Sequence, residues 1–203
     1  QRVLREIPRL HSRPRLGRVS DPSDMSATEK LDNYDDVSVY GIDEARRETL
    51  LARFHECSVV WSTQDGWPVG VMHIYVWAKG RFWVTCTGER KRVPALRARP
   101  RSSIIVAFDS EQTVTAKSIA TVHDHGSVHH EWFYRALAEK VLPGQPAMIQ
   151  EAGPEAWIER LDSPGRVVIE FHPQKWISFD GRKVVAHAEG RWQPGDPWQE
   201  FPE

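Results

Sequence analysis

The segment Gly80 to Arg101 reads GRFWVTCTGERKRVPALRARPR, and it sets Thr85, Thr87 and an Arg90-Lys91 pair around the point where a short strand gives way to a helix. Hydroxyls, cationic side chains and the N–H groups freed at a helix start are donors that favour an anion, above all a phosphate. Cations are not what a helix N-terminus selects for its own stability, so a bound anion gives Arg90 and Lys91 a reason to stand there. The chemistry suggested is the anchoring of a phosphorylated cofactor. The plainer alternative is a set of solvated helix-start charges in a chain rich in arginine.

The second cluster with chemical potential is His123, Asp124, His125, His129 and His130. Its spacing across a Gly-Ser loop lacks the one-face repeat of a helical zinc motif, and adjacent histidines on a helix point in different directions. It is read as a surface loop with no metal, and haem ligation by an imidazole is kept as a distant option. No nucleophile elbow, P-loop or glycine-rich dinucleotide fingerprint is present, which leaves hydrolase and kinase readings without support.

The elements that must hold these residues are mostly strands. The spacing predicts a helix within Gly41–Glu56, opened by Asp43 and Glu44. Strands follow at 57–64, 67–78 and 81–87, with Asp65-Gly66 as a two-residue hairpin turn and Lys79-Gly80 as a second turn. A short helix within 89–98 must begin late, because Pro94 is tolerated only in a first turn. Strands at 102–109 and 113–123, helices at 128–141 and 147–161, the latter interrupted at Gly153-Pro154, and strands at 166–172 and 175–180 complete the series. Consecutive short strands with helices at the ends predict a mainly β fold, an antiparallel meander closed into a barrel so that no edge stays exposed.

At 203 residues and 40% hydrophobic, the chain has material for one full core. A formal net charge of −1 predicts no nucleic-acid partner, and no apolar run approaches the roughly 18 residues of a membrane span. Cys57 and Cys86 are the two cysteines. They form no metal-type spacing or disulfide framework, which fits a reducing compartment such as the cytoplasm. Residues 1–33 carry six dispersed arginines and no apolar signal region, and are read as an arm, a non-native leader, or in part sequence upstream of a start at Met25. The expected domain is 34–188, with 189–203 as a surface tail.

Taken together, the DG hairpin with PVGVMHIYVW, the segment GRFWVTCTGERKRV, the RPR that opens the next strand, VTAKSIATV and the late RVVIEFHPQKWISFDGRK resemble the pyridoxamine 5′-phosphate oxidase-like superfamily of flavin- and deazaflavin-binding split β-barrels. The resemblance spans roughly Asp43 to Val184. It implies an antiparallel, Greek-key-like split barrel and a homodimer with FMN in a groove between subunits. F420 is the alternative cofactor, and the activity implied is hydride transfer to or from a small organic substrate. By the same resemblance Arg90 and Lys91 bind the phosphate and Thr85 and Thr87 assist. Met72, His73 and Ile74 flank the ring; Thr113 opens the fifth strand, and Lys117 on the same strand faces either the cofactor's acidic side or solvent. Glu89, Ile74 and Thr113 depart from the oxidase pattern, where serine, lysine and glutamine stand; an acidic side chain beside a phosphate is unfavourable unless it points away. Arg92, Arg97 and Arg99 are candidates for the charged tail of F420. His73 has a bland reading as an ordinary satisfied strand residue. A non-catalytic cofactor or haem carrier is the alternative function.

Overall fold

The computed structural model describes residues 37–109 and 111–197; the arm expected at 1–33 lies outside them. After a short 3-10 turn, Ser38–Tyr40, the order is α1 (Glu44–Arg53), β1 (Glu56–Ser62), β2 (Pro68–Ile74), β3 (Val76–Ala78), β4 (Arg81–Thr87), α2 (Arg92–Ala98), β5 (Arg101–Ala107), β6 (Gln112–His123), α3 (His130–Val141), α4 (Ala147–Leu161), β7 (Arg166–Asp180) and α5 (Gly181–Ala188). All strand pairs are antiparallel, in the order β2-β1-β5-β6-β7-β4-β3. This is not the simple meander expected, because β5 pairs with β1 and β4 with β7, giving the Greek-key-like order of a split barrel.

The two outermost strands are halves of one run of chain. The single strand expected at 67–78 breaks at Tyr75, so β2 pairs with β1 while β3 pairs with β4. The sheet therefore curls until its two edge strands are joined end to end through one residue, as in a half-barrel. Tyr75 is fully buried; its N–H donates to the His55 carbonyl at 2.7 Å and its hydroxyl to the Leu51 carbonyl at 3.1 Å. The latter is one of the carbonyls that the end of α1 leaves without a helical partner. Tyr75→Phe is expected to lower stability by about 1 kcal/mol with an unchanged denaturant slope, measured by urea unfolding.

Turn chemistry accounts for the hairpins. Lys79 and Gly80 both take positive φ, +56° and +68°, as a two-residue turn matched to strand twist requires. The first hairpin differs from the expected two-residue turn: Thr63 N–H donates to the Trp67 carbonyl at 2.9 Å, and Gln64, Asp65 and Gly66 form a three-residue loop with Gly66 at φ +89°. The late strands are also one, β7, whose pairing with β6 slips between Lys117 and Ser118 beside Pro173. Proline has no N–H to donate, so a bulge is where a central strand tolerates it.

The barrel interior is filled by alternate residues, Cys57, Val59 and Trp61 of β1, Phe82 and Val84 of β4, Ile104 and Val106 of β5 and Ile169 and Phe171 of β7. On the opposite face of β4 and β7, Trp83 and Val168 pack under Phe133, Tyr134, Leu137 and Val141 of α3. The expected break in the second late helix falls at Gly153, φ +80°. In the segment after α5, Trp192 is buried against Tyr40 and Ala186 while most of its described neighbours are exposed. Among the described residues no helix is long and apolar enough to cross a membrane.

Candidate functional site

Two neighbouring clefts share a wall at Trp61. One, of about 590 Å³, lies between α2 and the first hairpin and is lined by Lys91, Arg99, Thr63 and Val69. The other, of about 450 Å³, opens across β1, β5 and β6 and is lined by Arg101, Ser102, Ser103, Lys117 and Ser118. Among the described residues, together they present four cations and neither is lined by an acidic residue. Arg99 is steered by its Nε, which donates to the Ser62 carbonyl at 3.2 Å. Such a trough of cations, hydroxyls and one indole suits an anionic ligand with a planar portion.

The start of α2 shows how Lys91 comes to this place. Lys91 is the N-cap and Arg92 the first helical residue, which puts Pro94 in the first turn, as its missing N–H demands. Arg90 is exposed and borders neither cleft. Arg92 turns inward against the Cys86 thiol, and burial raises that thiol's pKa while Arg92 acts in the opposite direction. Arg97 pairs with Asp124 at 2.6 Å. Of the three arginines considered for a cofactor tail, Arg99 alone lines the trough.

The remaining candidates are dispersed. Thr85 Oγ1 donates to the Val167 carbonyl at 2.9 Å and lies 3.4 Å from the Tyr134 hydroxyl, under α3 rather than beside Lys91. Thr87 is exposed, opposite Arg166. Met72 and Ile74 point out from β2, 67% and 38% exposed, and Thr113 is exposed opposite Phe179. Lys117 lines the second cleft, so Lys91 and Lys117 are the predicted residues that the trough brings together.

His73 points the other way, into the barrel with Val69 and Val71. Its Nε2 and the Nε of Arg92 are both buried without a hydrogen-bond partner, which corrects the reading of His73 as a satisfied polar residue. Burial, and secondarily the Arg92 charge, push its pKa down to about 4, so the ring is neutral near pH 7. Hidden unpartnered atoms of this kind are uncommon in folded proteins.

The histidine cluster is a surface loop only in part: Asp124 and His125 lie in an exposed turn, while His123 ends a strand and His130 opens a helix. His123 ends β6 half-buried, stacked on Trp83, and its Nε2 lies 2.8 Å from Oε2 of the buried Glu170, whose other oxygen is bound by Arg81. His129 joins this group, while His125 and the buried His130 gather instead on Asp162. Burial and neighbouring cations lower the pKa of His123 and His129. Sequence spacing could not reveal these groupings, because Glu170 and Asp162 arrive from β7 and the end of α4. Trp61 and Arg101 were missed as site residues for a similar reason, although the Arg99-Pro100-Arg101 run before a strand was a visible signal.

No family model matches the sequence, and no curated protein matches it. Among solved structures, the chain is similar to a conserved hypothetical protein of Mycobacterium tuberculosis, with a TM-score of 0.58 and 15% identity over 80% of this chain and 93% of that one. It is also similar to an F420 reductase, with a TM-score of 0.49 and 19% identity over 67% and 98% of the two chains. A pyridoxamine 5′-phosphate oxidase-related, FMN-binding protein of Nostoc punctiforme gives a TM-score of 0.46 and 14% identity over 67% and 78%. The likeness is one of fold alone: the chain is mainly β, a curled seven-stranded antiparallel sheet with flanking helices, consistent with a split barrel.

Proposed function

We propose that this protein holds a phosphorylated flavin-type cofactor, FMN or F420, in the trough from Lys91 past Trp61 to Arg101 and Lys117, as an oxidoreductase acting on a small organic molecule. The observation that carries the reading is the lining itself, Lys91, Arg99, Arg101 and Lys117 with no acidic residue among the described residues that line it. Cations in a concave, partly apolar setting hold an anion more firmly than on an open surface, since the walls exclude part of the screening water. Lys91 and Arg99 take the phosphate end, Ser102 and Ser103 donate hydroxyls, and Trp61 supplies an aromatic edge. When bound, the cofactor supplies hydride transfer, and the protein contributes position and electrostatics.

A homodimer belongs to the same proposal. The pairing registers align Met72, Ser58, Ile105, Thr115 and Ile177 in one row across the outer sheet face, and Met72, Ile105 and Ile177 of that row are exposed. The next row holds Val60, Ser103 and Lys117, the floor of the second cleft. A second copy seated on the apolar row would close over the cleft and shield the cofactor. A cytoplasmic location goes with this reading.

The test is a fluorescence titration of ligand-stripped protein with FMN and F420 side by side, repeated at high salt and with competing inorganic phosphate. Saturable binding of one cofactor, weakened by both additions, is the expected outcome. Binding of neither would reject the reading and turn attention to a haem carrier; binding without reductase activity across an electron-donor panel would leave a cofactor-binding protein without turnover.

A further inference from the structure

We propose that His125, His130 and Asp162 form a binding site for a divalent transition-metal ion of the zinc class, beside a cleft that His125 lines. The cleft, of about 630 Å³, is lined by His125, Arg166, Gly88 and Glu89 and meets the Lys91–Lys117 trough at Pro94. The inference does not depend on the cofactor.

Three elements bring the ligands together. His125 sits in the turn that follows β6, closed by Ser127 N–H donating to the Asp124 carbonyl at 3.2 Å and permitted by Gly126 at φ +79°. His130 opens α3, its ring held edge-on between Tyr134 and His125 at centroid distances of 5.4 and 5.1 Å. Asp162 is the C-cap of α4. His125 Nε2 lies 3.0 Å and His130 Nδ1 3.5 Å from the same Asp162 oxygen, and the three ligand atoms all fall within 4.8 Å of one another. In a tetrahedral site with bonds of about 2.0–2.1 Å, ligand atoms stand roughly 3.3 Å apart; the two distances bracket that value. Two imidazoles and a carboxylate with one position left open is a donor set suited to zinc and its neighbours.

Charge distinguishes this trio from the other, His123, His129 and Glu170. There Arg81 already occupies Glu170, and Lys79 and Arg81 both act on His129, so a dication would enter a cationic field. Among the described residues no lysine or arginine pairs with Asp162; of the two arginines on the cleft, Arg97 is neutralised by Asp124 and Arg166 shares the lining with Glu89.

The experiment uses tag-free, chelator-treated protein, with Zn²⁺ measured by competition against a chromophoric chelator and Co²⁺ by its visible d–d bands. One equivalent per chain is expected. His125→Ala and Asp162→Asn are each expected to weaken binding more than tenfold, while His123→Ala leaves it unchanged. His125 and Asp162 are about a third and two-fifths exposed, which favours folded variants. Should either variant unfold, zinc-induced shifts of the His125 and His130 ring resonances in the unaltered protein decide the matter. No saturable binding, wild-type affinity in both variants, unmoved ring resonances, or loss that follows His123→Ala would each overturn the proposal.

Discussion

Alanine at both Lys91 and Arg101 is expected to weaken binding of FMN or F420 by on the order of a hundredfold, about 2.7 kcal/mol, while the melting transition stays put. The two cations stand on different walls, Lys91 in the cleft beside α2 and Arg101 in the cleft across the sheet, and Trp61 lies between them. A charge-assisted hydrogen bond contributes roughly 1.5–3 kcal/mol where its groups are partly withdrawn from water, so losing two reaches a hundredfold even with some screening. Folding should be spared, since both side chains are exposed and Lys91, although the N-cap of α2, makes no side-chain capping hydrogen bond; exposed side chains without such a role usually change stability by less than about 0.5 kcal/mol. The internal control is Arg90→Ala, for which less than a threefold change is expected because that side chain borders neither cleft. Dissociation constants and their salt dependence provide the readout. If Arg90→Ala costs as much as the double variant, the anchor follows the linear motif, and the trough is not the binding site.

That contrast shows how far the sequence reaches. Period-two alternation, a glycine turn and the placement of Pro94 locate most strands and the helix after β4, because these signals act within a few residues. Closure of the barrel is different. It depends on Tyr75 breaking a run of strand-forming residues, and nothing in HIYVW announces that break, since a tyrosine suits a strand as well as a bend. The outcome is set by the distant Leu51 and His55 carbonyls that receive its two donors. The phosphate motif was legible as chemistry but not as direction: of the run Arg90, Lys91 and Arg92, one borders a cleft, one faces solvent and one enters the barrel. Arg101 and Lys117 come together only through the pairing of β5 with β6, where Arg101 faces Ile119 and Ser103 faces Lys117. The two histidine groups need carboxylates from residues 162 and 170, which no local spacing connects to residues 123–130.

The second large effect concerns acid. His73 lies opposite Cys57 in the β1–β2 register, and the same burial acts on both with opposite signs: it pushes the thiol up to about 12 and the imidazole down to about 4. Burial always disfavours the charged form, which is the thiolate for one and the imidazolium for the other. Arg92, close by with its own buried Nε unpartnered, adds to the penalty on a protonated ring. Between the unfolded value near 6.5 and the folded value near 4 the unfolded chain binds the extra proton. The contribution of a neutral His73 is therefore fully present above pH 6.5 and is lost as the pH falls toward 4. The shift corresponds to roughly 3 kcal/mol. Urea unfolding across that window should show wild-type protein losing about this much more stability than His73→Gln, whose amide does not titrate. The effects of His123 and His129, also shifted downward by burial and nearby cations, cancel in the comparison. Equal losses in the two proteins would mean that water or a ligand reaches the His73 ring in the folded state, and the barrel end beside Arg92 would then be open rather than sealed.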